Sequence, residues 1–550
     1  MKQDPAPNEV DVLVAGGGPV GMALACELGR RGISAHIVEA KAGFHEHPRS
    51  TVVGARTMEF FRSWGIDQDV AAHAVPGDYP LDVAFTLKLT GEEFGRLQYP
   101  TINDASERSA KTLEQYPPLE WSRYAKMVIG QNLLEPVLFR GLHQFPTVTT
   151  QFCSEVLAFV DLGDHVEVEV GTESGPRQRI VAKYLVGCDG GRSVVRKSLG
   201  KGMSGTGDLG ESVNIFFRAP NFLETIGKRP AFLFWTFASG ATGSFIAIDG
   251  KETWVHSRHL LPGETYEGFD PVVAIQKAVG APIDIEIISH WPWIPRELVA
   301  NEYARGRVFL AGDAAHLMSP TGGQGLNTGV GDAVNLAWKI QADLEGWAGP
   351  GLLETYETER RSVAVRNSGE STDNRRLMRI SMLAGGRLDQ GDEADQAREE
   401  IISSLPAHAK HFDSPGITFG DDYDQSPIVV ADGTPPVVFD PLHYVPSARP
   451  GRRLPHVWVE AGVSIFDVLG PDFNLIHLIG ADVSAIENAF AHRKMGLNLV
   501  ALDGQQMVAY GASLVLVRPD GHVAWRGETV RDASLIVDIV RGALAEAGSE

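Results

Sequence analysis

Residues 12–21 of this 550-residue chain read VLVAGGGPVG, an apolar run that passes directly into a cluster of glycines. The apolar run predicts a short buried strand, and the glycines follow it in the pattern G-x-G-x-x-G. Residues 22–31 then place apolar side chains at helical spacing and end at Gly32, after which residues 35–38 form a second apolar run. The order strand, glycine turn, helix, strand predicts a βαβ unit.

Each glycine of the turn has a different task in a βαβ unit that binds a dinucleotide. Gly16 permits the tight turn, Gly18 lets the backbone approach the pyrophosphate, and Gly21 lets helix and strand pack closely. The helix N-terminus directs its free N–H groups toward the phosphates. Glu39 ends the second strand, where a carboxylate accepts hydrogen bonds from ribose hydroxyls and repels a 2′-phosphate, so the unit suits FAD or NAD better than NADP. An ordinary glycine-rich turn is the alternative. The segment's other candidate cofactor-binding residues are Pro19, Val20 and Ala40.

Two later apolar runs each end in an acidic dipeptide. Residues 184–190 read YLVGCDG and contain Asp189, and residues 307–313 read RVFLAGD and end at Asp313. Residues 320–327, PTGGQGLN, form a glycine-rich loop that leads into a further helix. In isolation such dipeptides are most often plain turns. Their order and the adjacent glycine-rich loop favour a cofactor site.

The three motifs, in their order and separation, resemble those of the single-component (class A) flavoprotein aromatic hydroxylases. The resemblance covers the whole chain and points to the phenol-hydroxylase-like branch, with relatives that tailor polyketide and indolocarbazole antibiotics. It implies that Asp313 holds the ribityl chain of FAD, that Asp189 braces the cofactor, and that the helix after the loop stabilises negative charge on the reduced flavin. Arg49 resembles an arginine that contacts FAD phosphates, although a solvated surface charge is the alternative, and Gln131 resembles a ribityl-contacting glutamine. The further cofactor-binding residues implied by these motifs are Gly312, Pro320, Gly323, Gln324, Gly325, Leu326 and Asn327.

The resemblance implies an α/β protein of several parts. Residues 1–80, 120–200 and 290–375 are expected to form a discontinuous Rossmann-like (βαβ) FAD-binding domain of the p-hydroxybenzoate hydroxylase type. An antiparallel β-sheet substrate domain is expected from residues 81–119 and 201–289, although residues 88–118 read as polar and irregular. A helical connector at 376–429 and a thioredoxin-like α/β domain at 430–550 complete the chain. Because this last domain lacks Cys-x-x-Cys, a packing or dimerisation role is expected in place of dithiol exchange.

The activity that the resemblance implies is an FAD-dependent monooxygenase. NADPH or NADH acts as a transient co-substrate, and O2 hydroxylates a phenolic or polycyclic aromatic ring through a flavin C4a-hydroperoxide. Water would release the peroxide unproductively, so the pocket should be apolar. Two alternatives stay open: a flavin-dependent dehydrogenase or oxidase acting on an aromatic substrate, and a non-catalytic FAD-fold binding protein.

The residue that activates the substrate hydroxyl is not identified by the sequence. Phenol hydroxylase carries an Asp before the corresponding Arg-Thr pair, whereas the matching position before Arg56 and Thr57 here is Thr51. This difference weakens simple phenol as the substrate and favours a larger polycyclic aromatic. A His or Trp in a sheet belongs to the core more often than to a site. With that alternative open, the substrate-pocket candidates are Trp235, His256, Trp291 and Trp293.

Composition excludes several other classes of function. The net charge of -21 disfavours nucleic acid and anionic membranes as partners, and no run of about 18 apolar residues predicts a membrane span. Cys26, Cys153 and Cys188 lie far apart, so neither a disulfide framework nor a metal site is expected. The polar N-terminus does not resemble a secretion signal, and a cytoplasmic location is expected. The expected partners are a small aromatic substrate and O2, and the chain is compatible with a homodimer.

Overall fold

The computed structural model describes residues 7–172, 175–260, 263–388, 391 and 393–544. The opening glycine turn belongs to an eight-stranded sheet. Its parallel strands, in spatial order, are Val308–Leu310, Gln178–Gly187, Glu9–Ala15, Ala35–Glu39 and Val148–Phe152. The antiparallel strands that extend this sheet are Ala304–Arg305, Ser154–Asp161 and Val166–Thr172.

The central strands of this sheet are apolar throughout because helices cover them. Val12, Leu13 and Val14 are fully buried. Helix Pro19–Arg30 packs against helices Gln131–Leu142 and Gln324–Leu344. A strand buried on both faces has no exposed alternate positions, so its sequence reads as a continuous apolar run.

Strand register brings the motifs of the sequence to one edge of the sheet. Ala15 lies opposite both Val38 and Gly187, and Gly187 lies opposite Leu310. The carboxyl ends of these parallel strands therefore adjoin, and ligands of open α/β sheets bind at such ends.

A second sheet of seven strands lies between two segments of the first domain in the sequence. Most of its neighbours are antiparallel, as expected, but Leu233–Thr236 runs parallel to Val83–Thr86. The strands in spatial order are Glu286–Trp293, Ser212–Arg218, Thr253–His259, Gly243–Ala247, Leu233–Thr236, Val83–Thr86 and Glu93–Leu97.

The expectation that residues 88–118 are irregular is wrong. This stretch contains strand Glu93–Leu97 and helices Ile102–Glu107 and Ala110–Gln115. Thr101 and Asp104 form a capping box that starts the first of these helices, so local side-chain hydrogen bonds support structure in a polar sequence.

Short strands and helices join the two large sheets. Val52–Val53 pairs with Met127–Val128. A three-stranded sheet consists of Met203–Asp208, Arg296–Ala300 and His316–Leu317. The remaining helices before the C-terminal region are Ala55–Ser63, Asp67–His73, Pro117–Glu120, Val194–Ser198, Phe222–Ile226, Tyr266–Gly268, Pro271–Val279 and Gly312–Ala314.

Long helices lead to the C-terminal region. Helix Thr355–Gly385 crosses the boundary expected at residue 375 and packs against helix Glu393–His408. The short helices Ala409–His411 and Pro415–Phe419 follow.

The C-terminal region is the expected α/β unit. Its four-stranded sheet has the order Leu497–Leu502, Phe473–Leu478, Leu514–Val517 and Val523–Gly527, of which the first two strands are parallel. A small pair, Trp458–Glu460 with Val463–Ser464, precedes it. The helices of the region are Ile465–Val468, Ser484–His492, Gly504–Met507 and Ala533–Val540.

Candidate active site

The glycine turn at residues 16–21 is built as its sequence predicts. Gly16 has φ +107°, and a Cβ placed on it would lie 2.4 Å from the carbonyl oxygen of Cys188. A Cβ on Gly21 would lie 2.0 Å from the carbonyl oxygen of Gly16. A Cβ on Gly18 meets nothing within 4 Å, and Gly18 has φ -73°, an ordinary angle for any residue. Packing therefore demands Gly16 and Gly21, whereas Gly18 borders open space at the helix N-terminus.

Glu39 lies over this turn. Its Oε2 accepts a hydrogen bond from the Gly17 N–H at 2.7 Å, and its Oε1 accepts one from the Lys41 N–H at 2.9 Å. The exposed Ala40 follows it. The carboxylate at the end of the second strand is thus held beside Gly17, within the glycine turn.

Asp189 uses one carboxylate oxygen for structure. Its Oδ2 accepts hydrogen bonds from the N–H groups of Val194 and Val195, at 2.7 and 3.2 Å, at the start of helix Val194–Ser198. Its Oδ1 is buried and has no hydrogen-bond partner among the described residues. That oxygen is an acceptor available to a ligand.

The Gly-Asp segment is fixed by a carboxylate that the sequence analysis did not single out as a site residue, Asp332. This fully buried side chain accepts hydrogen bonds from the Gly312 N–H at 3.1 Å and the Arg360 Nε at 2.8 Å, and it contacts His316 Nε2 at 2.7 Å. Burial alone would raise the pKa of Asp332, but its interactions with His316 and Arg360 hold that pKa below its usual value. An ion pair therefore anchors the turn that presents Asp313.

Asp313 is an exposed residue of the Gly-Asp segment. Its side chain is reached by solvent and accepts no hydrogen bond from a described residue, yet desolvation by the surrounding protein raises the pKa of its carboxyl. Arg49 and His316 act against that shift, which places the exposed Arg49 near enough to act on Asp313. A charged acceptor without a side-chain partner suits a ligand that carries hydroxyl donors.

The loop at residues 320–327 takes the conformation that its glycines allow. Gly322 and Gly323 have φ +108° and +66°, and helix Gln324–Leu344 begins directly after them. A Cβ on Gly325 would meet nothing within 4 Å, so the first turn of the helix borders open space. Pro320 is exposed and Leu326 is half-buried beside this turn.

Two side chains of this loop make contacts within the protein. Asn327 Oδ1 accepts hydrogen bonds from the Gly54 N–H at 2.8 Å and the Thr57 hydroxyl at 2.7 Å. The Gln324 amide donates to the carbonyl oxygen of Gly322 at 3.1 Å. Asn327 thus ties the glycine-rich loop to the segment that precedes helix Ala55–Ser63.

Gln131 starts its helix beside the Arg49 loop. Its backbone N–H donates to the carbonyl oxygen of Ser50 at 2.7 Å, and its side-chain amide donates to Glu135 Oε1 at 2.7 Å. The segment that carries Arg49 is therefore fixed to the N-terminus of helix Gln131–Leu142.

Close contacts made by glycines bring the three motifs together. Gly16 abuts Cys188 and Asp189, and Gly312 abuts Val20, which follows Pro19 in the first turn of helix Pro19–Arg30. A Cβ on Gly329, in helix Gln324–Leu344, would lie 2.5 Å from the Val20 side chain and 3.1 Å from Gly312 Cα. Segments far apart in the sequence thus meet along one edge of the sheet.

A cavity opens beside the glycine-rich loop. The space between its walls, counted out into open solvent, is about 1070 Å3. Its wall contains residues from the loop, from the segment after Pro118, from the connector and from the C-terminal region, among them Gln324, Lys126, His411, Asp413 and Asp520.

The pocket candidates expected from the second sheet lie outside this cavity. Trp235 is 5% exposed and packs edge-on against His411, a cavity residue. His256 stacks on Phe245, and burial lowers its pKa to about 3. Trp293 donates through Nε1 to Asn214, whereas Trp291 is 60% exposed on the sheet's edge strand.

Comparison with known proteins places these features in a family. Residues 9–371 match the FAD binding domain model, and residues 447–547 match the aromatic-ring hydroxylase C-terminal model. The chain belongs to the FAD-dependent aromatic hydroxylases. It binds FAD and hydroxylates an aromatic substrate, with NAD(P)H as the reductant. The dehydrogenase or oxidase reading and the non-catalytic reading are not favoured.

Relatives of this hydroxylase align over almost its full length. Aklavinone 12-hydroxylase RdmE of Streptomyces purpurascens is 32% identical over 96% of this chain and 97% of its own. The structure of the rebeccamycin biosynthetic enzyme RebC with reduced flavin has a TM-score of 0.88 and 36% identity, covering 98% of this chain and 100% of RebC. The flavin-dependent monooxygenase PieE, in complex with FAD and substrate, has a TM-score of 0.86 and 29% identity, with coverage of 98% and 100%.

No helix within the described residues has the length and apolar character needed to cross a membrane. In the same part of the chain, no cluster of three or more His, Cys, Asp or Glu side chains is arranged to hold a metal ion.

Proposed function

We propose that this hydroxylase acts on a polycyclic phenol of the polyketide kind. The observation that carries this proposal is the similarity, over almost the full chain, to relatives named for polyketide hydroxylation. The absence of an acid at Thr51 supports it, because the phenol-hydroxylase arrangement for a single ring is not reproduced. Relatives named for the larger aromatic aklavinone also support it.

We further propose which residues hold FAD. The pyrophosphate lies over Gly18 and the N-terminus of helix Pro19–Arg30, where open space and free N–H groups adjoin. Glu39 binds the adenosine ribose, and Asp313 binds the ribityl hydroxyls. Asp189 contributes its unpartnered Oδ1. FAD supplies the redox chemistry when bound, while the protein positions the ring and excludes water.

The remaining motif residues divide into two groups by their contacts. Gly16, Gly21 and Gly312 shape the groove, because a Cβ on each would meet protein at 2.9 Å or less. The N-terminus of helix Gln324–Leu344, which we propose faces the flavin, is formed by Gly323, Gln324, Gly325, Leu326 and Asn327. Arg49 supplies positive charge near Asp313.

Several expectations from the sequence stay predictions. They are the use of O2 as the oxygen source, the choice between NADPH and NADH, a homodimer, a cytoplasmic location and the exact domain boundaries.

A substrate screen with isotope-labelled O2 tests the proposal. Purified holoenzyme is supplied with NAD(P)H and either phenol or a polycyclic phenol, and product mass and coenzyme consumption are measured together. We expect labelled oxygen in the polycyclic product, with one coenzyme oxidised for each hydroxylation. Equal or better coupling with phenol would contradict the proposed substrate class, and unlabelled product would contradict oxygen insertion.

A further inference from the structure

Lys126 is a charged side chain on the wall of the large cavity. It directly precedes Met127–Val128, the short strand that pairs with Val52–Val53 and so adjoins the segment held by Asn327. Its Nζ lies 4.1 Å from the centroid of the Tyr99 ring and donates a hydrogen bond to the carbonyl oxygen of Phe412 at 2.9 Å. An ammonium has three N–H donors, and no other hydrogen bond joins this one to a described residue. One N–H donates to Phe412 and the ammonium also contacts the Tyr99 ring, which leaves one donor available to a ligand in the cavity.

The charged and titratable groups around Lys126 are few. Asp413 is the charged group that acts on it, and Asp413 Oδ1 accepts a hydrogen bond from the Tyr116 hydroxyl at 2.8 Å. Burial lowers the pKa of Lys126 to about 8, and Asp413 acts against that shift. Burial raises the pKa of Tyr99, Tyr116 and Asp413. The lowered pKa makes the amine form of Lys126 easier to reach than that of an exposed lysine.

His411 adds a second polar group to the same wall. His411 is 4% exposed, and neither of its ring nitrogens has a hydrogen-bond partner among the described residues. Burial, with smaller contributions from His408 and Lys410, lowers the pKa of His411 to about 2, so the ring is neutral. A neutral imidazole offers one donor and one acceptor, and leaving both unused in a buried position is costly. The site thus has polar capacity that the protein itself does not use.

We propose that Lys126 binds the hydroxyl oxygen of the aromatic substrate and holds it as a phenolate, with His411 as a second polar contact. The phenol O–H bond breaks, the proton passes to the lone pair of the Lys126 amine, and the resulting ammonium donates a hydrogen bond to the phenolate oxygen. No oxidant or reductant takes part in this step. The phenolate raises electron density at the ring carbons ortho and para to the oxygen, as electrophilic hydroxylation requires. This assignment rests on the proposed function. Because Thr51 stands where phenol hydroxylase carries an Asp, the residue that activates the substrate was unassigned, and Lys126 of the cavity wall takes that role.

The direct test is the ionisation state of a bound probe. A β-hydroxyanthraquinone is titrated into oxidised holoenzyme below the pKa of the free probe, and flavin-corrected difference spectra report phenol or phenolate. Wild type and the matched control Lys111→Met, an exposed lysine outside the cavity, should bind the probe as phenolate. Lys126→Met should bind it as phenol and at least 10-fold more weakly. Phenolate bound equally by Lys126→Met and wild type overturns the proposal, as does a wild-type enzyme that does not bind the probe.

The pH profile of Lys126→Arg gives a second, independent test. An arginine keeps the positive charge but cannot accept the proton, because its pKa lies above 12. We expect kcat/KM to fall by about 100-fold below the substrate's own pKa, the scale of general base catalysis, and to recover above that pKa. An unchanged pH profile overturns the role of Lys126. If labelled product still forms and flavin content is normal in that case, the hydroxylase function stands and this inference alone fails.

Discussion

Gly18→Ala tests whether Gly18 is required by the bound cofactor, in contrast to Gly21, which is required by the fold. Gly18 has φ -73°, and a Cβ on it meets nothing within 4 Å, so the substitution costs the apo-protein no strain and no clash. If the FAD pyrophosphate lies over this residue, the added methyl group pushes the phosphate away from the helix N-terminus. Loss of one charge-assisted hydrogen bond costs about 1.5–3 kcal/mol, which weakens FAD binding by about 10- to 150-fold.

The assay compares Gly18→Ala with Gly21→Ala in apo-protein. FAD affinity is measured by quenching of flavin fluorescence, and folding by thermal unfolding without FAD. Gly18→Ala should keep the wild-type apo melting temperature and lose FAD affinity. Gly21→Ala should lower the melting temperature itself, because its Cβ would lie 2.0 Å from the carbonyl oxygen of Gly16. Wild-type FAD affinity in Gly18→Ala would refute the proposed position of the pyrophosphate.

Three further perturbations test other parts of the structure. Asp313→Asn should lower the FAD-to-protein ratio of purified enzyme, since charge-assisted hydrogen bonds to the ribityl hydroxyls would weaken by about 1.5–3 kcal/mol; an unchanged flavin spectrum and affinity would contradict its role. Glu359→Gln should destabilise the protein by about 3–5 kcal/mol in denaturant unfolding, because it removes the buried carboxylate that lies 2.6 Å from Arg518 and 2.7 Å from Lys339, and Arg518 alone keeps another ion-pair partner, Asp520; a loss below 1 kcal/mol would show that the charges are not coupled. His256 has a folded pKa of about 3 against 6.5 unfolded, so the unfolded chain binds the proton first and stability is lost as pH falls below 6.5. His256→Gln should therefore reduce the slope of the free energy of unfolding against pH, between pH 6.5 and 5, by up to about 1.4 kcal/mol per pH unit. An unaltered slope would exclude this histidine as a cause of the pH dependence.

The cofactor groove was the part of the molecule most open to prediction from sequence. Its residues are recognisable from a short stretch of sequence: Gly16 and Gly21 lie in the turn of one βαβ unit, and Glu39 ends the adjoining strand. The two acidic dipeptides are separated from it by long stretches of chain. Each nevertheless follows a buried parallel strand, and the shared edge of such strands brings Asp189 and Asp313 to the same groove.

The substrate side was less predictable, because it depends on which face a strand presents and on distant packing. Trp235 and Trp291 both lie in strands of the second sheet, yet one is 5% exposed and the other 60%. Asp332 and Glu359 lie in helices that carry many charges, a pattern typical of solvent-exposed faces, yet both residues are buried. Lys126 did leave a signal: it is a single charge within the run Ala125 to Ile129, which is otherwise apolar.

The C-terminal region contributes to the wall of the cavity as well as to the packing of the molecule. Arg518 crosses from its sheet to the buried carboxylate of Glu359 at 2.6 and 2.8 Å, and Asp520 lines the cavity while its carbonyl oxygen accepts a hydrogen bond from Arg56. Removing this region would leave Glu359 with Lys339 as its ion-pair partner and without Arg518, and would take Asp520 out of the cavity wall. Because the region lacks Cys-x-x-Cys, its contribution to catalysis cannot be dithiol exchange. Its contacts instead form part of the cavity wall, through Asp520 and His522.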